Sequence, residues 1–144
     1  MSNIIGSTGF RMQHFTVREL LDRIDIGQLV GKSVPGKQWT KNKRKTFIES
    51  VLCGIPIASI YLDGCKPQWN IIDGVERLYT LKMYVDDELC LDNMKLLPEM
   101  YEGLFSELPP PIKRRFMNTP IIGYVLTTEL EQKLLETIFE RLNS

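Results

Sequence analysis

The sequence predicts an α+β fold, a small mixed β-sheet flanked by helices, on three grounds. Amphipathic helical stretches and β-branched runs follow one another in no regular βαβ order, two strand-like runs flank the turn Asp63-Gly64 as in a hairpin, and a helix closes the chain after the last strand. No repeat, low-complexity tract or linker interrupts the 144 residues, so residues 1–144 are expected to form one domain.

Thr16 and Glu19 have the spacing of a capping box, in which side chains satisfy the free N–H groups of a first helical turn, and Val17, Leu20, Leu21 and Ile24 share one face. This predicts the first helix. Residues 31–36 are rich in turn formers, and a second helix is expected from near Thr40 to Gly54, with Phe47, Ile48, Val51 and Leu52 inward. Residues 55–62 are β-branched and aromatic, end at Asp63-Gly64, and should pair with residues 68–72. Asp73-Gly74 breaks that strand, after which Val75, Leu78, Tyr79, Leu81 and Met83 recur at helical spacing. Residues 89–91 and 94–97 fit short strands and loop equally. Pro109-Pro110-Pro111 lack donors and fix φ, which suits the entry to a short helix over 112–117. Residues 120–126 read as a strand, and Thr128 with Glu131 repeats the capping-box spacing ahead of a helix built on Leu134, Leu135, Ile138, Phe139 and Leu142.

Eighteen Lys and Arg balance eighteen Asp and Glu, so no general field draws the chain to nucleic acid or an anionic membrane, and any such contact must be local. Cys53, Cys65 and Cys90 are odd in number, far apart and without CxxC spacing, which argues for reduced thiols rather than a disulfide framework or a zinc site. The single histidine, His14, reads as a surface residue ahead of the first helix and leaves imidazole-based metal or triad chemistry without a partner ring. No metal site is expected from the protein alone. No apolar run nears the roughly 20 residues of a membrane helix, and Met1-Ser2-Asn3-Ile4 begins no signal peptide, so a cytoplasmic location without membrane contact is expected.

The chemistry concentrates around Asp73-Gly74. A strand that ends there and feeds straight into a helix brings unpaired N–H groups and the positive helix end to one point, where anions are favoured. Gly74 lets a ligand approach the backbone, Arg77 can turn its guanidinium back to a phosphate, and Thr80 adds a hydroxyl from the same face. The same residues admit an internal reading: Asp73 is a good N-cap and Glu76 stands at the capping-box position, so protein side chains alone would satisfy the amides. Glu76 would also repel a phosphate unless it faced away, shared a metal with it or acted on a water. A second cluster, Lys37, Lys41, Lys43, Arg44 and Lys45 around Trp39, suits a nucleic-acid backbone with a stacked base, or a solvated helix face. Lys113-Arg114-Arg115 forms a smaller one. Arg141, near the end of the last helix, suits the helix dipole without any ligand.

Trp39, Phe47-Ile48-Glu49-Ser50, Gly54-Ile55-Pro56-Ile57, Ile60-Tyr61-Leu62, Ile72-Asp73-Gly74, Arg77-Leu78, Thr80-Leu81, Phe105, Leu108-Pro109, Phe139 and Arg141-Leu142-Asn143, taken in that order, resemble the N-terminal domain of GmrSD-type restriction endonucleases. The resemblance runs from about Thr16 to the C-terminus. It implies a ParB/sulfiredoxin-like fold whose strand-turn-helix element binds the phosphates of an NTP, with Mg2+ as a companion. It implies further that Asp73, Gly74, Arg77 and Thr80 form the phosphate element, that Arg141 and Asn143 approach it from the last helix, and that Asp73 or Glu76 orients metal or water. Val75 and Glu76 stand where the family usually carries two glutamines, and residues 33–35 stand roughly where it carries Phe-Gln-Arg. Those changes remove donors that a triphosphate transition state would use, each commonly worth ~10²-fold or more. The family's C-terminal, His-containing nuclease domain has no counterpart here, so DNA cleavage is expected to require a nuclease domain or subunit beyond this chain. The expected function is a nucleotide-binding regulatory domain of a restriction or phage-defence system, with residual NTP hydrolysis left open by the resemblance. The alternatives are a non-catalytic DNA-binding module using Trp39, Lys41, Lys43, Arg44 and Lys45, and a scaffold that binds only protein partners.

Overall fold

A computed structural model describes residues 9–142. The chain runs β1 (Phe10–Thr16), α1 (Val17–Asp25), β2 (Leu29–Val30), α2 (Lys41–Leu52), β3 (Ile60–Asp63), β4 (Trp69–Asp73), α3 (Val75–Val85), two short 3-10 turns, α4 (Pro110–Met117), β5 (Pro120–Leu126) and α5 (Gln132–Leu142). The strands form one mixed sheet in the order β1-β5-β3-β4-β2, antiparallel at β1/β5 and β3/β4 and parallel at β5/β3 and β4/β2. The α+β expectation is met, with a mixed sheet and the 63–64 hairpin turn in place.

The period-two alternation of the strands divides the sheet into two unlike faces. Ile60, Leu62, Ile121 and Val125 point to one face, where Leu20, Ile48, Leu78, Leu81, Tyr84 and Phe116 from α1 to α4 close the core over them. Each such side chain contributes about 1.5–3 kcal/mol through its removal from water. Tyr84 is held edge-on by Phe105 at 5.5 Å and Phe116 at 5.3 Å, and its buried hydroxyl has no hydrogen-bond partner among the described residues. The other face carries Tyr61, Tyr124 and the 58% exposed Met12, and α5 packs against β4. Although α5 is amphipathic, none of its residues is buried.

Four sequence expectations need correction. Residues 10–16 form a full edge strand, which polar Arg11, Gln13 and His14 concealed because only Phe15 among these seven residues is buried; His14 is exposed and precedes the first helix as expected, within β1. β2 was also not foreseen, being two residues long. β3 starts at Ile60, not at residue 55, since Pro56 has no N–H for a ladder and the preceding Gly54 turns the chain at φ +84°. Finally, α5 starts at Gln132, so Thr128 and Glu131 form no capping box: the Thr127 N–H and hydroxyl both donate to the Gly9 carbonyl at 3.1 Å, which ties that segment to the entry of β1. Residues 89–97 form no strand, only an isolated bridge from Leu91 to Gly103. The expectations for Met1 to Ile4 and for Asn143 lie outside the described residues.

Candidate functional site

β4 ends at Asp73 and α3 begins at Val75, so a single residue, Gly74, must turn the chain. It does so at φ +114°, in the left-handed region, and serves as N-cap with no side-chain hydrogen bond to the helix. A Cβ here would stand 2.7 Å from Ile60 Cγ2, so the turn is pressed onto β3 and glycine alone fits. The internal reading fails at this point: Asp73 does not cap the helix. Among the described residues the N–H groups of Val75, Glu76 and Arg77 donate to no protein group. The N-termini of α1 and α2 are closed, by contrast, by the hydroxyls of Thr16 and Thr40, each accepting an N–H at 3.2 Å.

Arg77 folds back over the open turn. Its Nη2 bonds Asp73 Oδ2 at 3.1 Å, with the two side chains 15% and 19% exposed, and the same nitrogen lies 3.5 Å from the point a Cβ of residue 74 would occupy. A guanidinium has five donors, and this bond engages one of them. The remaining fork stays at the turn.

Glu76 plays a different part from the one expected. One oxygen accepts from Arg44 Nη2 at 2.8 Å and from the Trp39 N–H at 2.9 Å, and the other accepts from the Ser33 hydroxyl at 2.7 Å. Burial alone would raise this carboxyl, but the Trp39 N–H, the Ser33 hydroxyl and the Arg44 guanidinium outweigh it and hold the group below its ordinary value. Both oxygens are engaged in tethering residues 33–39 to α3, so Glu76 is no candidate for orienting metal or water.

Thr80 is likewise turned inward. It is fully buried, donates to the Glu76 carbonyl at 2.6 Å and accepts from Arg44 Nη1 at 2.6 Å, which places its hydroxyl behind the turn rather than among the phosphate ligands.

The basic cluster therefore divides. Arg44 is taken by Glu76 and Thr80, and Lys45 is buried in an ion pair with Asp92 on another side of α2. Lys37, Lys41 and Lys43 remain exposed. Lys43 Nζ lies 4.9 Å above the Trp39 ring, whose edge meets Phe47 at 5.3 Å between centroids.

These parts enclose a cavity of about 890 Å3 bordered by the loop 32–40, the turn at Gly74, Asp73, Arg77, Tyr61 and Ser59, with Phe139 and Leu142 of α5 at its far side. Its size is that of small-molecule sites, which span about 300–1,000 Å3. Arg141 is exposed and does not line it. Sequence reasoning missed Ser33, Ser59 and Tyr61. Ser33 meets Glu76 across 43 residues, a separation no local signal bridges. Tyr61 was legible as a strand residue, and its alternation with buried Ile60 and Leu62 marked it as facing away from the core.

Elsewhere, the cysteines are all free, and Cys65 is pushed up to about 11 by burial and then by Asp63, which keeps its thiol protonated at neutral pH. Among the described residues no three His, Cys, Asp or Glu side chains gather as a metal site, and no helix is long and apolar enough to cross a membrane.

The family model of the GmrSD restriction endonuclease N-terminal domain matches residues 17–144, and the chain belongs to that family. No curated protein and no solved structure matches it.

Proposed function

We propose that this member of the GmrSD N-terminal-domain family binds a nucleoside triphosphate, with the phosphates at the open N-terminus of α3, and acts as the nucleotide-responsive part of a restriction system. One observation carries the reading: a helix start left uncapped at a left-handed glycine, inside a cavity of about 890 Å3, with the Arg77 guanidinium folded over it. Unpaired amides at a helix N-terminus favour an anion, and a guanidinium adds charge-assisted, directional bonds to phosphate oxygens. A ParB/sulfiredoxin-like origin of the strand-turn-helix element, and DNA and a nuclease domain or subunit as partners, belong to the same proposal.

The donor set fits a magnesium nucleotide. Mg2+ commonly takes one or two protein carboxylates plus phosphates and water, and Asp73 borders the cavity with an oxygen, Oδ1, that accepts no protein hydrogen bond among the described residues. When bound, the ion neutralises charge between phosphate oxygens. Any turnover then rests on Asp73 for placing a water, since Glu76 is tied to the loop. DNA binding through α2 is less well supported, because Arg44 and Lys45 point into the protein.

Calorimetric titration with ATP, GTP, CTP and UTP, with and without Mg2+, tests the proposal. Binding of at least one nucleotide is expected, weakened about tenfold or more by Arg77→Ala through the loss of a charge-assisted contact. No heat from any of the nucleotides would eliminate it.

A further inference from the structure

We infer that the base of the bound nucleotide stacks on Tyr61, which makes this tyrosine the base-binding residue of the site; the inference rests on the phosphate reading above. Tyr61 is the register partner of Asp73 across β3 and β4, at an irregularity where the register shifts before Leu62, so the two residues stand at the same end of the two strands. Both border the cavity. The ring is fixed from its other flank: Tyr124, its register partner on β5, stacks on it at 5.2 Å between centroids and 22° between planes, and Phe10 meets it edge-on at 5.9 Å and 87°. Tyr61 borders the cavity, whereas Tyr124 and Phe10 do not, so the pair presents the Tyr61 ring to it.

Three considerations single out this ring. The Tyr61–Tyr124 pair stands on the sheet face that α1 to α4 leave uncovered, so closure of the main core does not account for it. The other aromatic group near the turn, Trp39, already has Lys43 over its face and Phe47 at its edge. A pre-oriented aromatic face beside a phosphate site matches the π-surface that every nucleobase presents, whichever base it is. Ser59 and Gln38, in the same lining, offer hydrogen-bonding groups at the rim.

Comparison of inorganic tripolyphosphate with ATP and GTP separates the two halves of the site, because tripolyphosphate probes the α3 turn alone. The wild-type chain is expected to bind a nucleotide about tenfold more tightly than tripolyphosphate, the size of one base stacking on an aromatic ring. Tyr61→Leu should abolish that preference while tripolyphosphate affinity stays unchanged, and Tyr61→Phe should keep it. A preference that survives Tyr61→Leu, or is absent from the wild type while both ligands bind, overturns the base assignment and leaves the phosphate site standing. Binding of neither ligand overturns both. Should Tyr61→Leu fail to fold, the Tyr61 ring protons of the wild-type chain, assigned by comparison with Tyr61→Phe, supply the answer. Upfield NMR shifts with nucleotide but not with tripolyphosphate support stacking, and unmoved resonances exclude it. A short single-stranded oligonucleotide that outcompetes free nucleotide at Tyr61 overturns the assignment to a mononucleotide.

Discussion

The helices α2 and α3 lie against each other, and both begin at the same cavity, yet their N-termini are finished in opposite ways. α2 is closed by its own Thr40 hydroxyl and then carries Lys41 and Lys43 in its first turn, with no acidic residue there. α3 has no capping side chain, a left-handed glycine in the cap position, and an acidic first turn whose carboxylate is drawn away to the loop 33–39 and Arg44. The end that folding alone would close is left open, and the cations of α2 stand against that helix's own dipole. Local stability explains neither choice, whereas an anion bound between the two ends would explain both.

The sharpest way to break this contrast is at the Glu76 tether. Glu76→Ala leaves Arg44, 15% exposed, without its counter-ion, and should lower unfolding stability by about 3 kcal/mol in a urea titration. Glu76→Gln keeps an acceptor for the Trp39 N–H and should cost less. The carboxyl is held below its ordinary value of 4.5 in the folded chain, so its contribution is complete above that pH and is lost as pH falls through the folded value. An acid limb in wild type that Glu76→Gln leaves unchanged would show that the tether contributes nothing.

Next in size is Gly74→Ala. A left-handed alanine costs about 1–2 kcal/mol, and its Cβ at 2.7 Å from Ile60 adds to that, so a loss of about 2 kcal/mol or more is expected. A denaturation midpoint equal to wild type would mean that the turn can be remade without glycine. Thr40→Ala should cost about 1 kcal/mol as an ordinary cap deletion while leaving tripolyphosphate affinity as it was. Loss of that affinity would show that the Thr40 hydroxyl itself contacts the anion. The smallest effect is a gain: Asn42→Glu puts a negative charge in the exposed first turn of α2 and should stabilise by about 0.5 kcal/mol at low salt, fading as salt is added.

Capping boxes show how far local reading reaches. Thr16 with Glu19 and Thr128 with Glu131 have the same spacing, but only the first starts a helix, because the segment at Thr127 is recruited by Gly9 across 118 residues. The break at Asp73-Gly74 was legible because a strand pattern, a glycine and a helical period meet within a few residues. The assembly of the cavity was not. Lys41, Lys43, Arg44 and Lys45 form one run in sequence, yet Arg44 and Lys45 turn to partners on different sides of α2. Their helical positions give the direction of each side chain and leave open what waits there.

The amino-acid sequence by itself determined the α+β class, the strand-turn-helix at residues 69–85 and kinship with GmrSD N-terminal domains, since propensity, hydrophobic period and ordered motifs are properties of the chain read in one direction. The tertiary structure alone decided that Glu76 clamps a loop, that Thr80 and Arg44 lie behind the turn, and that Tyr61 faces the cavity. The reason is electrostatic and geometric: a charge or hydroxyl takes whatever partner the packed elements bring within about 3 Å, and that partner is set by sheet order and helix packing rather than by neighbours in sequence.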